Sequence, residues 1–552
     1  MISMQGTGVS PGVASGTLHF YHAANADVRR IVVSDRDAEW ERFLTAQAAA
    51  VEQLGVLAEE VRQKSGDDAA ALLEGHQLLA EDPDLTDGVE ALIREQGLCA
   101  EAAVMDAGKA LAEEFAALDD PYLKERSADI KDVSGRIVSC LNGGSGTAAL
   151  PGPVILAAED LAPSETVQLD KDLLLGLVTA GGSASGHTAI MARTMGIPAV
   201  IGAADILDPA LEGKEVFIDG DTGTIIVEPD PETRAELLTK QEEQRKHAQL
   251  LKTLQGQPSV TLDGQAVRVC CNIAGPQDVP AVLENDGEGV GLFRSEFLYL
   301  GREDYPDEET QFEAYRGVLS ALSDREIIIR TLDIGADKQI GYFDLPKEEN
   351  PALGKRALRI CLDRPELFRT QLRAMYRASA YGRLGIMFPM VASEWEVREA
   401  CVMCEKVQHE LKEEGIPFSD EVKIGIMVET PAAAVMSDRL AQLVDFFSIG
   451  TNDLTQYTLA CDRQNRSLGR FCDTHHPAVL RLIRLVAENA HRHGVLVSIC
   501  GELAADLSLT ETFLAMGIDE LSVSPRSVLP LRQKVRETDV SACRSALLEA
   551  LD

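Results

Sequence analysis

Residues 424–431 read IGIMVETP, and this stretch decides the predicted fold. A short apolar run, 424–428, ends directly on an acid, Glu429. Seven similar strand-like runs, separated by helical stretches, lie at 267–271, 289–292, 327–330, 384–388, 446–449, 495–499 and 520–523. Eight β-units in roughly 290 residues is the period of a (β/α)8 barrel, so we expect such a barrel over residues 259–552.

Mostly polar and charged residues stand at the ends of these runs, where barrel enzymes place their catalytic groups. They are Asn272, Arg294, Arg330, Met390, Glu429, Asn452, Asp453, Cys500 and Ser524. The set is more polar than strand ends require for folding. The residues alone therefore predict an active site at the carboxyl ends of the barrel strands.

Glu429 and Asp453 follow neighbouring predicted strands, so their carboxylates can converge. Two carboxylates that leave room for water and for a ligand phosphate suit Mg²⁺. The alternative interpretation is a pair of solvated loop acids. The position of Glu429 directly after an apolar strand, and of Asp453 in the loop sequence GTND, favours the metal.

The chain is acidic, so an anionic substrate needs its own cluster of cations. Lys and Arg number 52 against 89 Asp and Glu, a net charge of −37, which also disfavours nucleic acid as a partner. The cations in the barrel loops are Arg294, Arg330, Lys338, Arg356 and Arg463. The guanidinium fork suits carboxylate and phosphate groups, and we expect this set to bind the substrate. For any one of them alone, ion pairing with a nearby acid is an equally good interpretation.

Cys500 ends the seventh predicted strand and places a thiol at the barrel mouth. A thiol with an ordinary pKa of about 8.5 is mostly protonated near pH 7 and can donate a proton. A free cysteine is otherwise usually a small buried apolar residue. We interpret Cys401 and Cys404, a CxxC pair in a helical stretch, as packing residues of that kind.

The first part of the chain has a different pattern. Residues 34–142 are helical, with apolar residues such as Trp40, Phe43 and Leu54 recurring at intervals of three or four. Residues 1–25 and 150–228 carry short β-type runs, and the turn sequence DGDTG at 219–223 joins the last two. The sequence predicts an α/β domain, 1–25 and 143–228, with a helical insert at 26–142. A charged helical linker, 229–258, leads to the barrel.

His187 follows a stretch rich in glycine and serine, TAGGSASG at 179–186, and a helical pattern begins after it. The free N–H groups at a helix N-terminus make a ready anion site. Neutral imidazole is a competent nucleophile. A capping or core histidine is the alternative, but the glycine-rich approach serves no obvious packing purpose.

Composition bears on the compartment. The eleven cysteines are scattered rather than set in a disulfide framework, which fits a reducing environment. The N-terminus lacks the pattern of a signal peptide, and no apolar run approaches the roughly 18 residues of a membrane span. We expect a soluble, cytoplasmic protein without membrane insertion.

Together these motifs resemble Enzyme I of the bacterial phosphotransferase system, from residue 8 to the final barrel strand. The matching stretches are GVSPG at 8–12, IRTLDIG at 329–335, NPALG at 350–354, GIMVETP at 425–431, GTNDLTQY at 450–457 and CGE at 500–502. The resemblance implies an α/β fold in which a swivelling phosphohistidine domain with an inserted helical bundle precedes a TIM-type barrel. It also implies transfer of the phosphoryl group of phosphoenolpyruvate to the enzyme and then to the phosphocarrier protein HPr, the first step of sugar uptake by that system.

The resemblance assigns roles in the first domain and to partners. His187 corresponds to the phosphorylated histidine, and Thr166 to the residue that hydrogen-bonds it. The helical insert corresponds to the docking surface for HPr, where His76 and Asp82 are expected. The family is a homodimer through the barrel.

In the barrel, the resemblance implies a clamp for phosphoenolpyruvate formed by Arg294, Arg330 and Arg463, with Asn452 beside the substrate. Glu429 and Asp453 correspond to the magnesium ligands. Cys500 corresponds to the acid that protonates the enolate to give pyruvate.

Two positions depart from the family pattern. Ser183 stands where the family has the second of two glycines before the histidine, and Gly182 keeps the first. Ser183 could alter the loop geometry, or its hydroxyl could bind phosphate. Lys355 stands where the family often has an aromatic residue, and it leaves Arg356 in place.

Two other functions compete with this interpretation. A pyruvate, phosphate dikinase or a phosphoenolpyruvate synthase shares the histidine domain and the barrel but needs a large ATP-binding domain, whereas the helical insert is only about a hundred residues long. A regulatory scaffold without activity would be expected to lack one or more of the site residues, all of which are present.

Overall fold

The computed structural model describes residues 1–551 except 22–29, 66, 118–120, 144–149, 162–168, 171, 183–186, 301, 303, 336–340 and 464. Thr166, Ser183 and Lys338 therefore lie outside the described residues. The chain divides into two units, Met1–Ala248 and Gln249–Asp552. No described helix carries an apolar stretch long enough to cross a membrane.

A mixed β-sheet forms the centre of the first unit. Its strands are β1 Ile2–Gln5, β2 Thr7–Ser10, β3 Val13–Phe20, β4 Val154–Ala158, β5 Leu174–Thr179, β6 Ala199–Ile201, β7 Glu215–Asp219 and β8 Thr224–Val227. They lie in the order β1-β8-β7-β3-β4-β5-β6-β2. The pairs from β3 to β6 are parallel and the others are antiparallel, including the predicted β7–β8 hairpin.

A helical bundle is inserted between β3 and β4. It consists of α1 Arg36–Ser65, α2 Asp67–Ala80, α3 Pro83–Arg94, α4 Ala100–Ala117 and α5 Pro121–Leu141. Phe43, Leu54, Val89 and Ile137 are among the residues of its own fully buried core, separate from that of the sheet. The predicted insertion of a helical bundle into an α/β domain is thus confirmed.

Two further helices belong to this part of the chain, α6 His187–Met195 and α7 Pro231–Lys252. The charged segment predicted as a linker is helical, and polar side chains of α7 contact the sheet. Lys240 forms an ion pair with Asp219 at 2.5 Å, and Gln244 accepts a hydrogen bond from the backbone N–H of Val13 at 2.8 Å. Most of α7 therefore packs on the first unit rather than running free.

The second unit is a closed barrel of eight parallel strands, β9 Arg268–Ile273, β10 Gly289–Arg294, β11 Glu326–Arg330, β12 Arg383–Phe388, β13 Lys423–Val428, β14 Phe446–Ile449, β15 Leu496–Ile499 and β16 Glu520–Val523. Each strand pairs with the next, and β16 closes on β9. The eight predicted runs are all strands, so the barrel prediction is confirmed.

Helices follow every strand of the barrel and cover its outside. They are α8 Val279–Glu284, α9 Glu308–Ala321, α10 Leu358–Asp363, α11 Pro365–Ala378, α12 Glu394–Glu414, α13 Pro431–Val435, α14 Ser437–Leu440, α15 Thr451–Leu459, α16 Pro477–Arg492, α17 Thr510–Met516, α18 Val528–Glu537 and α19 Val540–Glu549. Alternate strand residues point to opposite sides, so one set packs against these helices and the other fills the barrel. Leu292, Met427 and Phe446 belong to the inner set.

Charged side chains close the amino-terminal end of the barrel. Arg268 pairs with Glu326 at 2.5 Å and with Glu520 at 2.6 Å, and Lys423 pairs with Glu326 at 2.7 Å. Both acids are buried, and these pairs satisfy them. This end therefore serves stability, and it leaves the carboxyl end for chemistry.

Candidate active site

A cavity of about 600 Å³ opens at the carboxyl ends of the barrel strands. The site residues predicted from the sequence that line it are Arg294, Arg330, Arg356, Glu429, Asn452, Asp453, Arg463 and Cys500. Since they come from five strands and their following loops, only the closed barrel brings them together. Lys338 is the one barrel candidate outside the described residues.

Arg330 and Arg356 are held side by side through one buried acid, Asp333. Arg330 lies 2.8 Å from Oδ2 of Asp333, and Arg356 lies 3.0 Å from its Oδ1. A second acid, Glu296, forms an ion pair with Arg330, with its Oε1 at 2.6 Å from the guanidinium group. These acids outweigh the effect of burial, and the pKa of Arg330 is raised. Both arginines thus make the ion pairs foreseen as the alternative and still line the cavity.

Asp333→Asn should loosen this arrangement. The variant keeps the size of the side chain but removes the charge that both buried guanidinium groups face, so unfolding should become easier by about 1–3 kcal/mol. Misplaced arginines should also lower kcat/KM for the substrate of this cavity roughly tenfold. Urea unfolding and steady-state kinetics measure the two effects. Asp363→Asn, at an exposed acid paired with Lys355, is the control and should change neither.

Arg294 and Arg463 differ from the buried arginine pair. Arg294 is half-buried, and its side chain makes no hydrogen bond or ion pair with any described residue. The side chain of Arg463 is 41% exposed and approaches Oδ1 of Asp453 to 3.8 Å. Its backbone N–H donates to Oε1 of Gln456 at 3.1 Å, which anchors the loop. Both guanidinium groups keep donors available for an anion.

Glu429 is buried, and a backbone N–H group holds its carboxylate in place. Its Oε1 accepts a hydrogen bond at 2.6 Å from the N–H of Met390, a residue with a left-handed φ of 56°. Such a conformation costs free energy in a residue with a side chain, and it is a typical feature of functional sites. Gly450 leaves the necessary space, because a Cβ there would come within 2.9 Å of the Glu429 carboxylate.

The two predicted metal ligands, Glu429 and Asp453, are both buried, and both line the cavity. Burial and the charges of Asp333 and Asp453 raise the pKa of Glu429 to about 8. Oδ1 of Asp453 is buried and accepts no hydrogen bond from the described residues. Oxygen ligands with free lone pairs fit a hard divalent cation.

A complete metal cage of protein side chains is absent from the part of the chain that the structure describes. No group of three or more His, Cys, Asp or Glu side chains there is arranged to hold an ion. Mg²⁺ is typically bound by one or two carboxylates together with water and substrate phosphate, so a pair of acids is what it needs. Glu429 and Asp453 therefore fit this ion better than one that demands a full cage.

Cys500 lies at the inner wall of the cavity with its thiol buried. Its Sγ lies 3.7 Å from the carbonyl oxygen of Ile449. Burial raises the pKa of the thiol to about 11, so it stays protonated at neutral pH. The position and protonation state suit a proton donor.

The other strand-end residues have different positions. Asn452 lines the cavity. Its side-chain amide donates a hydrogen bond to the Glu502 carboxylate at 3.1 Å, and its side-chain oxygen accepts one from the backbone N–H of Glu502 at 2.9 Å. Asn272 instead donates to the carbonyl oxygens of Cys500 and Ser522, which ties neighbouring strands together. Ser524 contacts the Ser527 hydroxyl. Neither Asn272 nor Ser524 lines the cavity.

His187 is the first residue of α6, as the sequence pattern predicts, although its side chain is not among those described. Thr188 anchors this helix start by donating to Oδ1 of Asp160 at 2.7 Å. Gly182 has a left-handed φ of 93°, which favours glycine at the first of the two family positions. Near the other end of α6, Arg193 donates to the carbonyl oxygen of Val9 at 2.8 Å, so the GVSPG stretch holds the helix.

The expectation that His76 lies at a docking surface is wrong. Its side chain is fully buried in the bundle, 3.3 Å from Asp129 and 3.4 Å from Asp132 on α5. Asp82 is half-buried and caps α3 by accepting a hydrogen bond from the N–H of Asp84 at 2.8 Å. His76 therefore supports the bundle from inside, whereas a role of Asp82 in partner binding stays a prediction.

Sequence reasoning missed several residues that support this site. They are Glu296, Asp333, Met390 as a backbone donor, Gln456 and Glu502. Asp333 left a signal, since an acid three residues beyond a strand-end arginine is a natural ion-pair partner. The donor role of Met390 left none, because it depends on a backbone conformation.

The chain resembles known proteins over nearly its whole length. Residues 248–540 match the phosphoenolpyruvate-binding domain of phosphoenolpyruvate-utilising enzymes, residues 150–223 their mobile domain and residues 5–126 their N-terminal domain. The phosphoenolpyruvate-protein phosphotransferase of Staphylococcus carnosus (strain TM300) is 41% identical over 544 residues, which cover 98% of this chain and 94% of that protein.

A second relative and one solved structure are also similar to this chain. The protein of the same name from Bacillus subtilis (strain 168) is 41% identical over 546 residues, covering 97% of this chain and 94% of its own length. Among solved structures, a solution structure of an Enzyme I protein is 34% identical with a TM-score of 0.37, and it covers 44% of this chain and 99% of its own.

Proposed function

Since the chain belongs to the phosphoenolpyruvate-protein phosphotransferase family, we propose that it carries the phosphoryl group of phosphoenolpyruvate to His187 and then to a histidine of HPr. Pyruvate is the other product. This is the first step of sugar uptake by the phosphotransferase system.

One observation carries the assignment of the residues: a single cavity collects four arginines, the buried acids Glu429 and Asp453, and a protonated thiol. Phosphoenolpyruvate has a carboxylate, a phosphate and a carbon that must be protonated. Arginine forks match the first two groups, and Arg294 and Arg463 offer them unused donors. Cys500 supplies a proton for the third.

The chemistry then takes two balanced steps. A ring nitrogen of His187 attacks the phosphorus, and the bond from phosphorus to the C2 oxygen breaks, which leaves the enolate of pyruvate. C3 of the enolate takes the proton of the Cys500 thiol, and solvent later restores that proton. Arg330 and Arg356, fixed by Asp333, stabilise the charge that moves onto the departing oxygen.

We propose Mg²⁺ as the metal, with Glu429 and Asp453 as the protein ligands. When bound, the ion would neutralise charge on the phosphate and the enolate. Glu429 is held in place for this by the N–H of Met390.

HPr is the proposed partner of the helical insert. The insert packs around its own core, so a partner can bind its surface without opening the bundle. Asp82, at the start of α3, remains our candidate contact, whereas His76 supports the bundle from inside.

A homodimer through the barrel and a cytoplasmic location complete the proposal. Trp395 and Val402 are large apolar residues that lie two turns apart on one face of α12. Both are exposed on the barrel unit. Exposed apolar groups of this kind often mark an interface between proteins. All eleven cysteines are free, which fits a reducing compartment.

The test of the function uses the full chain. Incubated with phosphoenolpyruvate, Mg²⁺ and HPr in the absence of nucleotide, the protein should release pyruvate and phosphorylate HPr. A dikinase would need nucleotide for turnover. Pyruvate formation that depends on nucleotide, or none at all, would overturn the assignment.

The two units should divide the reaction between them. A fragment of residues 1–248 keeps His187, the helical insert and the part of α7 that packs on the sheet. It should accept phosphate from phospho-HPr but none from phosphoenolpyruvate. The fragment 249–552 should bind phosphoenolpyruvate without forming a phosphoenzyme, as calorimetry and radiolabelling can show. Labelling of the isolated first fragment by phosphoenolpyruvate would contradict the barrel as donor site.

A further inference from the structure

Two cysteines flank the segment that carries Arg463. Cys461 lies two residues before Arg463, and Cys472 lies at the other end of the loop. The Cys461 thiol donates to the carbonyl oxygen of Leu468 with a distance of 3.8 Å, and the backbone N–H of Cys472 donates to the same oxygen at 3.2 Å. The side chain of Cys461 and the backbone of Cys472 therefore meet at one carbonyl oxygen. The loop thus brings two reduced cysteines close together beside an arginine of the active-site cavity.

The other neighbouring cysteines do not offer this geometry. Cys270 and Cys271 are consecutive in β9, so their side chains point to opposite sides of the strand. Cys401 and Cys404 are three residues apart on α12, where Cβ atoms are about 5–6 Å apart, more than a disulfide spans.

Access favours Cys472 as the first thiol to react. Cys472 is half-buried, whereas Cys461 is buried. Burial and the nearby Cys461 raise the pKa of the Cys472 thiol, so its oxidation at neutral pH should be slow. A small oxidant can nevertheless reach the pair from the Cys472 side.

We propose that Cys461 and Cys472 form a reversible disulfide in the presence of a peroxide, and that this bond weakens the binding of phosphoenolpyruvate. The second part rests on the proposed role of Arg463. The Cys472 thiolate attacks a peroxide oxygen to give a sulfenic acid and hydroxide. The Cys461 thiolate then displaces hydroxide from that sulfur. In total, two thiols and one hydrogen peroxide give one disulfide and two waters.

The bond must move the backbone that carries Arg463. A disulfide holds its sulfur atoms about 2.05 Å apart, much closer than two thiols in contact. Cys461 and Arg463 both donate hydrogen bonds to Gln456. The backbone N–H of Cys461 donates to the backbone carbonyl oxygen of Gln456 at 3.0 Å, and the backbone N–H of Arg463 donates to its side-chain oxygen at 3.1 Å. A shift of Cys461 therefore reaches Arg463, and a displacement of about 1 Å at a substrate-positioning group can cost up to roughly 10²-fold.

The test treats the full chain with hydrogen peroxide, blocks the remaining thiols and digests the protein with trypsin. Arginines at 439, 463, 470 and 481 place the two cysteines in separate peptides, 440–463 and 471–481, each with a single cysteine. Mass spectrometry should find these peptides linked after peroxide and separated after dithiothreitol. The KM for phosphoenolpyruvate should rise at least several-fold on oxidation and return on reduction.

Cys472→Ser is the matched variant, because it keeps Arg463 and Cys500. It should have the basal activity of the reduced wild type, show no link and keep its KM under peroxide. An equal loss of activity in Cys472→Ser would point to Cys500 and overturn the proposal. So would a wild-type digest without the link, or a linked enzyme with an unchanged KM. Failure of the proposed function is distinguishable, since the reduced wild type would then consume no phosphoenolpyruvate while the peptides still report on the disulfide.

Discussion

A His187→Ala variant of the full chain is expected to take up no phosphoryl group from phosphoenolpyruvate. In the proposed mechanism the imidazole is the nucleophile of the first step, and alanine offers no atom to attack phosphorus. Other histidines are engaged elsewhere: His475 and His491 contact Asp506 and Asp519 at 2.7 and 2.9 Å, and His76 is buried. Mass spectrometry of the wild type should place one acid-labile phosphate on His187 and none on the variant.

Binding and folding controls separate loss of the acceptor from loss of the protein. All the described residues of the phosphoenolpyruvate cavity lie in the second unit, so His187→Ala should still bind phosphoenolpyruvate with unchanged affinity. His409→Ala changes a histidine that is 73% exposed on α12, and it should be labelled like the wild type. Persistent labelling of His187→Ala would show that the acceptor is another residue.

Most of the fold could be predicted because its signals are local. Each barrel strand is a short apolar run, and a polar residue follows most of them, as Glu429 follows the run 424–428. The turn of the β7–β8 hairpin is likewise predicted by five consecutive residues, 219–223. The sequence did not predict that α7 packs on the sheet of the first unit. A highly charged helix suggests a solvated linker, but Lys240 and Gln244 use their polar groups to pack on the sheet.

The sequence predicted which residues form the site better than it predicted the contacts between them. Strand ends of a barrel converge, so Glu429, Asp453 and Cys500 could be placed together without coordinates. The link between Arg330 and Arg356 through Asp333 depends on side-chain directions that spacing does not define. His76 shows the same limit, because a histidine in a helix can face either the solvent or the core. Here two acids of a neighbouring helix make the interior suitable for it.

Cys500→Ala is expected to lower pyruvate formation by about 10²–10⁴-fold, the usual cost of losing a general acid. The enolate left by phosphoryl loss needs a proton at C3, and no other thiol lines the cavity among the described residues. The change removes one sulfur from the barrel interior and leaves His187 untouched. Exchange of phosphate between HPr and His187 should therefore continue at the wild-type rate.

The pH dependence gives an independent check on Cys500. With a pKa of about 11, the thiol is protonated throughout the neutral range, and this donor is lost only as the pH rises toward 11. A fall in wild-type turnover between pH 8 and 9 must then come from another group. Cys543→Ala, at a half-buried cysteine on α19, should behave as the wild type in all these assays. If Cys500→Ala forms pyruvate at the wild-type rate, the proton comes from elsewhere, and a water molecule held in the cavity becomes the donor to test.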